Sequence, residues 1–144
     1  MQTKKLVKII SVAMISFLAL TGKAQAEQCV TGVRALVDWA TTKNIPTTRD
    51  AADSMAANAR AKGFTVDNSA SGCSSSKPCI LVYPRNYGKG IDSTYGHVAV
   101  LISDRNSKGA VTITDSNGLC GGVRKTCTVT PRKWNLVSVI HPNK

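Results

Sequence analysis

Aromatic side chains are scarce in this chain, with two Trp, three Tyr and two Phe among 144 residues. Its Lys and Arg residues are scattered and form no stripe. A single-stranded nucleic-acid binder needs stacking faces beside a basic track, so nucleic acid is not an expected partner. Histidine is scarcer still, at two residues. No two cysteines have the two-to-four-residue separation of a zinc knuckle, and neither a metal nor a cofactor is expected. The chain also lacks repeats, low-complexity tracts and long linkers. One domain with a modest core fits that length, with no room for a separate binding module.

The one long apolar run, from Ile9 to Leu20, follows Lys4, Lys5 and Lys8 and precedes Ala24-Gln25-Ala26. A basic start, a short uncharged apolar core and small residues at the cleavage positions make residues 1–26 a secretory signal peptide. The run is too short for a comfortable membrane span, so removal near Ala26 is expected and not a stable anchor. Cys29 follows Gln28, where a lipoprotein cysteine would follow a small residue. The expected mature chain, residues 27–144, is secreted or periplasmic. Loss of Lys4, Lys5, Lys8 and Lys23 takes the net charge from +11 to +7 (11 − 4), which suits an anionic partner such as a cell-wall polymer.

The chain has five cysteines, an odd number. In an oxidising compartment they cannot all pair internally. Cys73 and Cys79 bracket "CSSSKPC", and Cys120 and Cys127 bracket "CGGVRKTC". Both segments are rich in turn-forming residues, so local closure is the economical pairing. Each closed loop contributes roughly 2 to 2.5 kcal/mol by the chain-entropy argument. Cys29 is then left outside the pairing, as a buried hydrophobe, a link between subunits or a reactive thiol.

Val30, Val33, Val37 and Ala40 recur at three- and four-residue steps, the stripe of a helix with one face on a core. Cys29 falls in its first turn, where the positive helix end favours an anionic sulfur. Thr48 is the expected N-cap of a second helix that runs to about Lys62, with Ala52, Met55, Ala56 and Ala59 inward and Gly63 ending it. Strands are expected at 80–83, 97–103, 110–114, 127–130 and 134–140. Two helices before a mainly antiparallel sheet make an α+β domain. Val98 to Ile102 is apolar at every position, so that strand is central or covered on both faces.

"DRNSKG" joins two of these strands as a hairpin. A turn centred near position 106 sets His97 opposite Asp115, and a shift of one place sets it opposite Asn117. We expect the first register. Either neighbour can hold the imidazole by a hydrogen bond. A cysteine at a helix start, a histidine at a strand start and a cross-strand Asp or Asn are the parts of a thiol hydrolase: nucleophile, base and orienting group. His141, near the end of the sequence and without such a pattern, is read as incidental.

"QC" at 28–29, "GHVAVLI" at 96–102 and "TITDSN" at 112–117 resemble, in order, the signature blocks of the CHAP domain. These are the cysteine- and histidine-dependent amidohydrolases and peptidases, within the papain-like and NlpC/P60-like set. The resemblance implies a papain-like fold and cleavage of amide bonds in peptidoglycan. It also implies Cys29 as nucleophile, His97 as base, and Asp115 with Asn117 as the acidic and amide positions. The chain departs from the pattern in "CVTGVRAL", which lacks aromatics after the cysteine, and in Asp115, where Glu is common. The expectation is an exported, monomeric cysteine amidase or endopeptidase. Its oxyanion would rest on the Cys29 N–H, with Gln28 in support. Its expected partners are peptidoglycan and a cognate immunity or inhibitor protein. The rivals are a secreted non-catalytic binding or inhibitory protein on the same fold, and a protein-directed thiol protease or deamidase.

Overall fold

The computed structural model describes residues 29–38, 45–48, 51–88 and 90–142. The expected signal peptide, Gln28 and Ala40 lie outside them.

Residues 29–36 are helical (α1). Val30, Val33 and Val37 are buried on one side of this segment, as their spacing requires. A further helix among the described residues, α2, is Ser54–Ala61, with Met55, Ala56 and Ala59 buried. Thr48 does not cap it. The Thr48 amide instead donates to Ser54 Oγ at 2.7 Å, and Ser54 Oγ donates to the Ala51 carbonyl at 2.6 Å. Thr48 and Ala51 form an isolated bridge, so the chain turns once before the helix begins at Ser54. Gly63 follows the helix at φ +85°, a left-handed conformation that glycine adopts without steric cost.

Six strands follow: β1 (Val66–Asp67), β2 (Cys79–Tyr83), β3 (His97–Leu101), β4 (Val111–Asp115), β5 (Lys125–Val129) and β6 (Ser138–Ile140). They form one sheet in the order β1-β6-β2-β3-β4-β5, with every pairing antiparallel. The domain is therefore α+β. One face of the sheet, with Ile80, Val82, Val98, Val100 and Ile140, shares a core with α1 and α2. The other face, with Leu81, Tyr83, Ala99, Leu101, Ile113 and Val139, is covered by loop residues that include Ala70, Ile91 and Val137. Because both faces are covered, β2 and β3 are buried at every position, which explains the unbroken apolar run in β3.

Two differences from the expected strands have local causes. Residues 134–136 form a turn and not a strand. The Leu136 amide bonds the Lys133 carbonyl at 2.9 Å, and the Trp134 indole N–H bonds the Gly109 carbonyl at 3.1 Å. Strand β1 is two residues long, too short to carry a period in sequence.

Candidate active site

The β3–β4 hairpin pairs Val100 with Thr114 and Leu101 with Ile113. This is the other of the two registers, the one whose continuation faces His97 toward position 117. The expected direct pairing of His97 with Asp115 is thus wrong by one place. Asp115 nevertheless meets the ring. With pleated alternation, His97, Ala99, Ile113 and Asp115 share one face of the sheet, and Asp115 is the diagonal neighbour of His97. His97 Nε2 and Asp115 Oδ2 are 2.8 Å apart. Asn117 has φ +52° and donates its backbone N–H to the Gly122 carbonyl at 2.7 Å. The side chain of Asn117 makes no hydrogen bond to His97 among the described residues, although Asn117 lines the same cavity.

The Asp115 carboxylate is held from the far side by the turn after β4. Oδ2 accepts from the Leu119 amide at 2.7 Å, and Oδ1 accepts from the Cys120 amide at 3.1 Å. That turn is tied down by a disulfide between Cys120 and Cys127, which links it to β5; Asp115 itself pairs with Lys125 on the same strand. The second disulfide joins Cys73 to Cys79. Cys29 lies outside both bridges.

Cys29 reaches the imidazole from α1, with its thiol in hydrogen-bond reach of the His97 ring. Gly32, one turn further along α1, makes that approach feasible. A Cβ there would stand 2.6 Å from Ser116 Oγ, so a larger residue would have to displace Ser116 or lift the helix from the turn after β4. Ser116 is itself buried, and its Oγ accepts from the Arg124 amide at 3.0 Å.

Cys29, His97 and Asp115 are 2%, 5% and 2% exposed. Burial therefore opposes charge on the imidazole and lowers its pKa. Hydrogen bonds to Asp115 and Cys29, and then the charges of both, raise it more strongly, and the balance lies at about 9. Burial raises the Asp115 carboxyl. The hydrogen bond and charge of His97, with the Cys120 and Leu119 amides, outweigh that and hold it below the ordinary carboxylate range. An imidazolium–carboxylate pair is thus the resting state at neutral pH. Tyr83, opposite His97 in the β2–β3 ladder, has its phenol pushed up by burial and by nearby Tyr87 and Asp115, so it stays neutral.

Two parts of the site carry no signal that a sequence reader would recognise. Gly118 lies against the ring. A Cβ there would stand 2.2 Å from His97 Cε1 and 2.3 Å from Nε2. Asp53, at the start of α2, fixes the approach to β3. Its amide donates to the Tyr95 carbonyl at 3.0 Å, and its carboxylate accepts from the Arg85 amide, Nε and Nη2 at 3.0, 3.0 and 2.9 Å. Burial raises the Asp53 carboxyl and Arg85 more than offsets it, leaving it low. Gly96 fits beside this pair at φ +69°, where a Cβ would be 2.5 Å from the Tyr83 carbonyl oxygen and 2.7 Å from Asp53 Cβ.

Cys29 and His97 open onto a cavity of about 330 Å³ lined also by Gly90, Ile91, Asp92, Tyr95, Gly96, Asn117 and Gly118. A thiol, an imidazole and a carboxylate in line beside such a space can form and resolve a covalent acyl adduct.

No family model and no curated protein matches the sequence. Among solved structures, an N-acetylmuramoyl-L-alanine amidase from Staphylococcus aureus resembles the chain at 24% identity and a TM-score of 0.48. The match covers 62% of this chain and 23% of that one, so it spans about a quarter of the amidase's length.

Proposed function

We propose that the protein is an exported cysteine hydrolase of papain-like, CHAP-type architecture that cleaves amide bonds in peptidoglycan stem peptides. The observation that carries this reading is the line from Cys29 through the His97 ring to Asp115 Oδ2, the last link being 2.8 Å. Nε2 is committed to Asp115, so Nδ1 is the nitrogen that serves Cys29 and the substrate.

The Cys29 sulfur attacks the amide carbonyl carbon beside the protonated His97 ring. The C–S bond forms and the carbonyl electron pair moves to oxygen, which the backbone N–H of Cys29 stabilises, with Gln28 in support. His97 then donates its Nδ1 proton to the departing amine as the C–N bond breaks, leaving a thioester. Water enters as His97 takes one of its protons, and collapse releases the acid and returns Cys29 and His97 to their starting state. Asp115 holds the ring in one orientation throughout. The basic surface concentrates the enzyme on the anionic wall, and a peptide backbone fits a cavity that is apolar at Ile91 and glycine-lined at Gly90, Gly96 and Gly118.

Alkylation by iodoacetamide tests the nucleophile. Cys29 should react rapidly at neutral pH, and His97→Ala should slow that reaction. A Cys29 that resists alkylation in the native protein would point to the non-catalytic reading.

A further inference from the structure

Each of the two histidines stands between a sulfur and a carboxylate, the His97 set buried and the His141 set partly exposed, with Asp67 open to solvent. His97 stands between Cys29 and Asp115. His141 stands between Cys79 and Asp67: its Nε2 is 2.9 Å from Asp67 Oδ1 and its Nδ1 is 3.6 Å from Cys79 Sγ. Sheet register sets Asp67 beside His141 as it sets Asp115 beside His97, and here it supplies the sulfur too, where the first set takes Cys29 from α1. Ile140 pairs with Ile80 and Asp67 pairs with Val139. One step further along β6, His141 therefore falls across from Cys79 and diagonal to Asp67. The difference is the sulfur, since Cys79 is bonded to Cys73.

A carboxylate on Nε2 makes that nitrogen the donor and leaves Nδ1 as the position that gains or gives a proton. A sulfur within a disulfide has no use for that proton. A sulfur leaving one does, because exchange is faster and goes further when the departing thiolate is stabilised. We propose that Cys73–Cys79 is a thiol–disulfide exchange site for a dithiol reductant, with Cys73 attacked and Cys79 the leaving group. The incoming thiolate bonds to Cys73 Sγ as the Cys73–Cys79 bond breaks. The electron pair goes to Cys79 Sγ, which takes a proton from solvent relayed through Nδ1 of His141, so the ring ends as it began. The second thiolate of the dithiol then displaces Cys73, which takes a proton from solvent. The dithiol is oxidised to its disulfide and the protein disulfide is reduced to two thiols. Cys73 itself is buried, and residues 71, 72 and 75–77 that flank it in sequence are exposed. This site lies at the Cys79 end of β2, and the candidate active site lies at the Tyr83 end, where Tyr83 pairs with His97.

The test uses the oxidised protein, limiting dithiothreitol, an alkylation quench and peptide mapping of each bridge, with Cys120–Cys127 as the internal reference. The ratio of the two reduction rates should fall about tenfold in His141→Gln, the effect of losing one charge-assisted hydrogen bond to the leaving sulfur. Asp67→Asn should lower the same ratio by a smaller factor. In the wild type, a monothiol such as glutathione should be trapped on Cys73. A ratio unchanged in both variants, or an adduct found on Cys79, overturns the proposal.

Discussion

His97 carries the chemistry of the account, and its ionisation is the property most open to measurement. Its folded pKa of about 9 lies above the ordinary value of 6.5. The stability it contributes is therefore fully present below about pH 6.5 and is lost as pH rises through about 9. Asp115 behaves oppositely: its pKa is lowered from 3.8, so its contribution is present above that value and fades as pH falls through the folded one. The His97 ring protons, followed by NMR, should titrate near pH 9 in the wild type. They should titrate lower in Cys29→Ala, because Cys29 is one of the groups that hold the proton on. An unchanged titration in that variant would separate the thiol from the ring. Asp115→Asn should lower turnover by about a hundredfold or more and move the alkaline limb of the pH–rate profile downward. Asn117→Ala should lower turnover with little movement of either limb, since its side chain makes no bond to the ring. A profile shifted by Asn117→Ala and untouched by Asp115→Asn would reverse those assignments.

Elements bring the three side chains together, and glycines set how closely they approach. Gly118→Ala places a methyl group within 2.3 Å of His97 Nε2 and should displace the ring. The expected loss in kcat is about a hundredfold, the usual effect of moving a catalytic group by roughly an ångström; NMR of the ring should show the displacement in a chain that still folds. Replacing Cys120 and Cys127 by Ser should cost about 2.5 kcal/mol of stability on the chain-entropy argument. It should also weaken Asp115's hold on the ring, because the Leu119 and Cys120 amides that bond Asp115 sit on the tethered turn. A lowered thermal midpoint with unaltered kcat would show that the bridge supports the fold alone. Much of this architecture was legible in sequence. The 3- and 4-residue spacing of Val30, Val33 and Val37 and the apolar block in β3 needed only their periodicity. The register of the β3–β4 hairpin was not legible, because its connection between Leu101 and Val111 is long enough to absorb a one-place shift. Asp115 meets His97 despite that slip, since the pleat carries it to the same face. Asp67 and the role of His141 were out of reach because β1 is only two residues long. Gly32, Gly96 and Gly118 matter through atoms they lack, which no pattern of residue types displays.

Over the whole sequence, nineteen basic residues against eight acidic ones give a formal charge of +11, of which the proposed mature chain keeps +7, and the described helices include none long and apolar enough to cross a membrane. Two disulfides fit an oxidising compartment. Attraction of this charge to an anionic wall is screened over about 8 Å at physiological salt. Co-sedimentation with isolated sacculi should therefore weaken steeply as sodium chloride rises, and binding indifferent to salt would remove charge from the account. The central claim is that Cys29, activated by His97 and Asp115, cleaves peptidoglycan amide bonds. It is tested most directly by incubating the protein with purified peptidoglycan and identifying the released fragments by mass spectrometry, with Cys29→Ala run in parallel. The wild type should release fragments ending in a new carboxylate and a new amine at one amide position of the stem, and Cys29→Ala should release none. Intact stem peptides after incubation with folded protein whose Cys29 alkylates readily, or the same fragments from Cys29→Ala, would contradict it.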